Sequence, residues 1–478
     1  MLATVSAVRI ATQVGEFDRS PAYVGLAAAL RLLIADGRIP REARLPSERD
    51  LTGVLHVSRT TVTRAYAELV DAGYAESRRG AGTFARIPGG RARTHDRALL
   101  PRAADTNALD LNCAAPVSPP GLARAYERAM TDLPAYFSGH GYFPAGLPKL
   151  QQAIAATYDA RGLPTGPDQI MITAGALSAA SIVAQAFTGP GERVLVESPV
   201  YPNATQALRH SGARIIGSPV DPDGWDLDAI GATLRQTAPK LAYLIPDFQN
   251  PTGHLMTDEQ REGYAAHLRR TRTVAVVDEA HQGLALEGQP MPRPFAAFAP
   301  DAITLGSASK SFWGGLRLGW IRVPQARMES LTEARVSLDL GAPVLEQLVL
   351  ARLLEDADKV LVEHRARLRE HRDALAAAVR THLPEWSFRL PSGGLALWCE
   401  LPAELGVALA IEAERREVIV APGPVFAVDG GLNRFVRIPW TRPVAELEEA
   451  VARLGEAWAV VREPGQDGVR RTPRVMVA

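Results

Sequence analysis

GSASKSFWGGLRLGW (residues 306–320) decides the reading of the larger part of this 478-residue chain. It sets one lysine, Lys310, just past the apolar run ITL and among three hydroxyls, Ser307, Ser309 and Ser311. Lysine is scarce here. The chain has only Lys149, Lys240, Lys310 and Lys359 among its 53 Lys and Arg. An amine at a strand end therefore carries more information than usual.

Outward from Lys310, further apolar, β-branched runs alternate with helical text: QIMITAG (169–175), RVLVESP (193–199), KLAYLIPDF (240–248), TVAVVDEA (273–280) and DAITLGSAS (301–309). Near-continuous apolar strands between helices predict an α/β unit, a mostly parallel sheet covered on both faces. Ligands of such sheets bind at the carboxyl ends of the strands. Asp278 ends TVAVVD, and Asn250 lies in PDFQNPTG. Gly175-Ala176-Leu177-Ser178 opens a helix whose free amides suit a phosphate. Tyr201 in ESPVYPNA offers an aromatic plate, Arg317 a fork for phosphate, and Arg437 in NRFVRIPW a clamp for a carboxylate.

An amine, a strand-end carboxylate, a phenolate donor, a phosphate cup and an aromatic plate are what pyridoxal phosphate (PLP) chemistry requires. Singly, each residue has a plainer reading: Asp278 as a turn cap, Tyr201 as a packed aromatic, Arg437 as a surface ion pair. The ordered set carries the weight.

The first 95 residues read differently. They hold fourteen Arg and no Lys against nine Asp and Glu, a charge of +5 in a chain that is neutral overall. Ser20-Pro21 predicts a helix start and Gly37 its end; Ser47, with Asp50 three residues on, opens a second helix. Ser58 opens a third, SRTTVTRAYAELVDAG, with Val62, Ala65, Tyr66 and Leu69 inward and Arg59, Thr60, Thr61, Thr63 and Arg64 outward. A short turn between two such helices is a helix-turn-helix layout. YAESRRGAGTFARI then predicts a hairpin with a basic, glycine-rich tip able to approach a phosphate backbone.

LPSERDL, SRTTVTRAYAELVDAGY and RRGAGTF closely resemble the GntR-type winged helix. That resemblance implies DNA contacts from Arg49, Ser58, Arg59, Thr61, Arg64 and Gly80. The order GALS, YP, NPTG, DEAH, SASK and GLRLG, with a late Arg, resembles fold-type I PLP-dependent enzymes of the aminotransferase class. GYFPAGLPKL, PSGGLALW and APGPVF extend the match over most of residues 110–460. Joined, the two look like the MocR subfamily of regulators. The resemblance implies an imine at Lys310, a pyridinium partner in Asp278 and Asn250 at the phenolate oxygen. It implies Tyr201 stacking, phosphate held by Ser307, Arg317 and the amides of Gly175 and Ala176, and Arg437 on an amino-acid carboxylate. Tyr142 would reach across a domain-swapped, head-to-tail homodimer. Two departures stand out: His281 occupies the place of a tyrosine that usually helps the phenolate oxygen, and GALS lacks the Gln common after GA in relatives.

The expected organisation is a winged helix-turn-helix over 15–87, a connector over 88–110, a PLP-binding body with a smaller C-terminal α+β part over 111–462, and a disordered tail over 463–478. The connector also reads as an arm laid on the body, and sequence does not separate the two. Cys113 and Cys399, far apart, form neither a disulfide framework nor a zinc site, and a reduced cytoplasm suits them. No apolar run spans a bilayer, no secretory leader is visible, and no metal site is expected. The expected partners are a double-stranded operator, in direct or inverted repeats, and an amino acid or amine effector. Three functions stay open: a regulator responding to PLP or to an imine of PLP with an amino compound, an aminotransferase with a regulatory head, and a sensor of PLP itself.

Overall fold

A computed structural model describes residues 4–35, 38–40, 42–78, 80–86, 88, 108–220 and 222–463. Gly37, most of the connector and the tail beyond Glu463 lie outside the described residues. The chain divides into two units, residues 1–96 with 118–128, and 97–117 with 129–478.

The first unit holds α1 (Ala7–Val14), α2 (Ala22–Ala35), α3 (Glu48–Leu55), α4 (Arg59–Asp71) and an antiparallel hairpin of β1 (Ala75–Arg78) and β2 (Gly82–Ala85). Helix α1 lies ahead of the expected start at residue 15. Ser6 caps it by accepting from the Arg9 amide, and it buries Ile10 and Val14 in the common core. Helix α2 begins at Ala22, and the carbonyl of Pro21, not the Ser20 side chain, takes the first helical amides. The Ser20 amide instead donates to Asp18. Ser47 caps α3 through the Asp50 amide, but its hydroxyl, rather than its backbone N–H, engages the Asp50 carboxylate. Ser58 caps α4 as expected, and Val62, Ala65, Tyr66 and Leu69 are all buried.

After β3 (Leu109–Asp110) of the second unit comes α5 (Leu122–Asp132), whose residues 122–128 belong to the first unit and 129–132 to the second. The second unit then runs α6 (Pro148–Ala160), β4 (Ile170–Thr173), α7 (Ala176–Phe187), β5 (Arg193–Ser198), α8 (Pro202–His210), β6 (Arg214–Pro219), α9 (Leu227–Thr237), β7 (Leu241–Leu244), α10 (Asp258–Thr271), β8 (Val274–Asp278), β9 (Ile303–Ser307), α11 (Ala308–Ser311) and β10 (Gly319–Arg322). The seven-stranded sheet has the order β4-β10-β9-β8-β7-β5-β6. Only β10 runs against the rest, pairing antiparallel with β4 and β9. Six carboxyl ends therefore share one rim, and the amino end of β10, with Arg317 just before it, meets them there. Strands β4, β7 and β9 are buried along their whole length, which accounts for their unbroken apolar text.

The chain continues through α12 (Met328–Val336), α13 (Val344–Glu355), α14 (Ala357–His382), β11 (Ser387–Phe388), β12 (Ala396–Glu400), α15 (Gly406–Arg415), β13 (Val418–Ile419), β14 (Ala421–Pro422), β15 (Phe435–Pro439) and α16 (Val444–Val461). A second sheet, β11-β12-β15-β14, packs its core of Leu397, Cys399, Val436 and Ile438 against Leu375, Leu409 and Leu454 of α14, α15 and α16. This is the smaller C-terminal α+β part. Strand β3 pairs in parallel with β13, so the last two residues of the expected connector, Leu109 and Asp110, belong to this part.

Candidate functional site

The shared rim opens into a cavity of about 670 Å³. Gly175, Ala176, Tyr201, Asn250, Asp278, His281, Ser307, Lys310 and Arg317, from six different strand ends, all line it. Local chemistry explains each placement.

Gly175 takes φ +96°, a value that favours glycine, and leads into α7. A β-carbon there would stand 3.3 Å from Nη2 of Arg317, so the glycine also makes room for that guanidinium. The first free amides of α7, Arg317 and the Ser307 hydroxyl form an electropositive cup. Ser307 itself accepts from the Ser309 amide while capping α11.

Lys310 follows on α11, with Nζ 3.0 Å from the Ala114 carbonyl oxygen. Burial pushes its pKa down, favouring the uncharged amine that condenses with an aldehyde. Asp278 accepts from the Ala280 amide at 2.9 Å and from the Tyr243 hydroxyl at 2.5 Å. Burial raises its pKa, and those two bonds and Lys310 oppose the rise. A carboxylate so placed seeks a cation, which a protonated pyridine supplies.

Asn250 turns into the cavity from the loop after β7. Arg437 Nη1 donates to its Oδ1 at 3.2 Å, and because a guanidinium only donates, the amide Nδ2 is the end free to face a ligand. Gln249 anchors that loop. Its amide donates to the Pro199 carbonyl and to Glu197, and its Oε1 accepts from Thr252. Glu197 also accepts from Trp225 and the Ile245 amide, and burial pushes its carboxyl up to about 7. Asp247 of the same loop is buried in an ion pair with Arg261 at 2.6 Å.

His281 is buried, with Nδ1 3.0 Å from the Phe248 carbonyl oxygen. Burial pushes its pKa down to about 4, so the ring is neutral. Its single N–H is thus spent on the backbone rather than held for a phenolate oxygen.

Two expected residues do not line this cavity. Arg437 is fully buried behind Asn250, donating to the Asn112 carbonyl and lying over the Phe426 ring, because residues 112–114 run across it. Tyr142 is 58% exposed and is not among the residues that line the cavity of its own chain. Tyr243, Glu197, Gln249 and Asp247 escaped sequence reading. The polar letters inside PDFQNPTG were the available clue to the last two.

On the first unit, Arg49, Ser58, Arg59, Arg64 and Gly80 are exposed and Thr61 is half-buried. Arg59 pairs with Glu48 at 3.2 Å, and Arg64 lies 3.7 Å over the Tyr23 ring. The hydroxyls of Ser58 and Thr61 hydrogen-bond each other. Gly80 turns the hairpin at φ +74°. An exposed helix start bearing Arg and Thr, beside a glycine-turned hairpin, suits entry into a DNA groove.

An amine, a carboxylate and a phosphate cup around one cavity define a PLP-binding α/β body, and the first unit is a DNA-binding winged helix. The chain belongs to the aminotransferase class I and II family, which it matches over residues 128–454, and residues 22–85 match the GntR family of bacterial regulatory proteins. That pairing is the MocR architecture, and it makes the chain a PLP-dependent, DNA-binding regulator. Over 299 residues it is 33% identical to 2-aminoadipate transaminase of Thermus thermophilus, spanning 61% of this chain and 75% of that one. An HTH-type transcriptional regulator of Escherichia coli is 28% identical over 460 residues, 91% of this chain and 98% of that protein. The structure of alpha-aminoadipate aminotransferase from T. thermophilus, complexed with N-(5'-phosphopyridoxyl)-L-leucine, superposes with a TM-score of 0.68 at 29% identity, covering 74% and 92% of the two chains.

Proposed function

We propose that this regulator changes its operator affinity when PLP, or PLP joined to an amino compound, occupies the cavity described above. The observation that carries the reading is the convergence of nine expected residues on that single space. PLP supplies an electrophilic carbonyl and a ring that takes up electrons. The chain supplies the rest. Lys310 offers its amine, Asp278 holds a proton at the ring nitrogen, and Tyr201 covers the ring. Ser307, Arg317 and the first amides of α7 bind the phosphate.

A homodimer fits the same reading. Phe137, 71% exposed, and Tyr142 lie in the segment that a bridge between Phe143 and Gly341 sets beside Leu338 and Leu340, also exposed. An apolar patch of this kind favours a protein partner, and Tyr142 would complete the partner's cavity. The cytoplasm is the compartment that suits a DNA reader with two free cysteines. No helix among the described residues is long and apolar enough to cross a membrane.

Absorbance of the pure protein, before and after a panel of amino acids and polyamines, tests the ligand. Operator titration with PLP alone, then with the responding compound, separates a sensor of PLP from a sensor of the amine. In Lys310→Ala the reducible protein–cofactor adduct should vanish while operator binding by the unliganded protein persists; an adduct that survives overturns the assignment of Lys310.

A second reading, true transamination, draws on the intact Lys310 and Asp278 and on the similarity to a transaminase. Exchange of amino groups with an α-keto acid decides it, and rapid steady turnover would favour it.

A further inference from the structure

The segment after β7 and the turn after β8 present a ligand with one hydrogen-bond donor and one acceptor. The donor is Asn250 Nδ2, oriented by Arg437. The acceptor follows from His281. A carbonyl oxygen only accepts, so the Nδ1 beside Phe248 carries the ring hydrogen. Nε2 is then a bare lone pair. His281 lines the cavity, and no described residue bonds Nε2. An oxygen seated between Nδ2 and Nε2 is satisfied only if it brings its own hydrogen. A hydroxyl meets both groups, whereas an anionic oxygen faces a lone pair.

We infer that His281 accepts a hydrogen bond from the ring hydroxyl of bound PLP, at the place where the family resemblance expects a tyrosine donor. The inference rests on PLP occupying this cavity. It reverses the direction of one hydrogen bond and keeps a proton between the ring oxygen and Nε2. The groups around His281 do not undo this. Burial, Lys310 and Arg437 all disfavour an imidazolium; the Phe248 carbonyl and Asp247 favour one, but burial is the largest influence and Asp247 is already paired with Arg261. His281 is a positioning and proton-holding residue that leaves Lys310 and Asp278 their own tasks.

The consequence is spectroscopic. A ring oxygen that keeps its proton shifts bound cofactor from the yellow form toward the colourless one. The test uses the full chain loaded with PLP, with spectra recorded across pH for wild type, His281→Tyr and His281→Phe. Tyrosine restores a donor, so His281→Tyr should raise the yellow-to-colourless ratio roughly tenfold, about the weight of one hydrogen bond to a charged oxygen. His281→Phe removes the acceptor without adding a donor toward the ring oxygen and should move the ratio the same way by less. An unchanged ratio in a variant that binds cofactor stoichiometrically overturns the inference. Nitrogen NMR of the wild type gives a second reading that needs no variant: Nε2 should resonate as an unprotonated acceptor and shift when PLP binds. A protonated Nε2 overturns the inference. Failure of wild type to bind PLP at all instead sinks the cofactor assignment beneath it.

Discussion

Arg437 Nη1 donates to Asn250 Oδ1 across 3.2 Å, so the arginine expected to take a ligand's carboxylate is the group that orients an asparagine lining the cavity. The two tasks compete. A carboxylate that drew the guanidinium forward would loosen its hold on Asn250, and a ring oxygen bonded to Asn250 would feel the change. On the function proposed above, occupation by an amino acid and the electronic state of the cofactor would then be linked through one side chain, the differential contact a ligand-driven switch requires.

Arg437→Met should therefore change the spectrum of bound PLP with no amino compound present. A guanidinium serving only as a carboxylate clamp would leave that spectrum alone and weaken amino-acid binding only. Spectra of the ligand-free, PLP-loaded variant separate the two, and an unchanged spectrum counts against the link.

Tyr243→Phe tests the support under Asp278. The phenol is the strongest influence holding that carboxyl's pKa down against burial. Without it one carboxylate oxygen is left buried and unpaired, which costs about 1–3 kcal/mol. The variant should unfold more easily by about that amount and retain PLP roughly tenfold less tightly. Lower stability with undiminished retention would mean that Tyr243 only fills space.

In the first unit, Arg59→Ala and Arg64→Ala should weaken operator binding without altering PLP content. A lost base contact costs about 1–3 kcal/mol and relaxes sequence preference, whereas a lost phosphate contact lowers the salt slope by about 1. Glu48→Gln carries the opposite sign, because Glu48 now neutralises Arg59 at 3.2 Å. Binding to random DNA should tighten in that variant. If none of the three changes moves DNA affinity, α4 is not the reading helix.

Local pattern made much of this legible. The cap at Ser58 and the stripe Val62, Ala65, Tyr66 and Leu69 belong to one helix and follow its period, so the text of α4 specifies them. The five apolar runs became β4, β5, β7, β8 and β9 because a strand buried on both faces leaves no polar alternation to confuse. Strand β10 escaped because its text, GWIR, has only two apolar letters between a glycine and an arginine, and α1 because it is short and precedes the recognisable text. Long-range partners were invisible. Tyr243 reads as one more apolar letter until β7 is laid beside β8 and its hydroxyl meets Asp278, 35 residues away. Arg437 lies in the middle of β15, and nothing in the text NRFVRIPW places the Asn112 carbonyl across it.

Glu197 carries a prediction about pH. It accepts from Trp225, Gln249 and the Ile245 amide beneath the Asn250 loop, yet burial outweighs those bonds and lifts its carboxyl from 4.5 to about 7. The folded state thus holds this proton more tightly than the unfolded chain. The stabilising contribution is fully present below 4.5 and is lost as pH rises through about 7. Glu197→Gln cannot ionise and should lack that decline. His281 and His364, both held neutral with pKa values near 4, act in the opposite sense on acidification, but they are common to both proteins and cancel in the difference. Wild-type stability minus that of Glu197→Gln, measured by denaturant unfolding, should fall steadily between those two pH values. A flat difference would mean that Glu197 stays ionised in the folded protein and that its three donors outweigh burial.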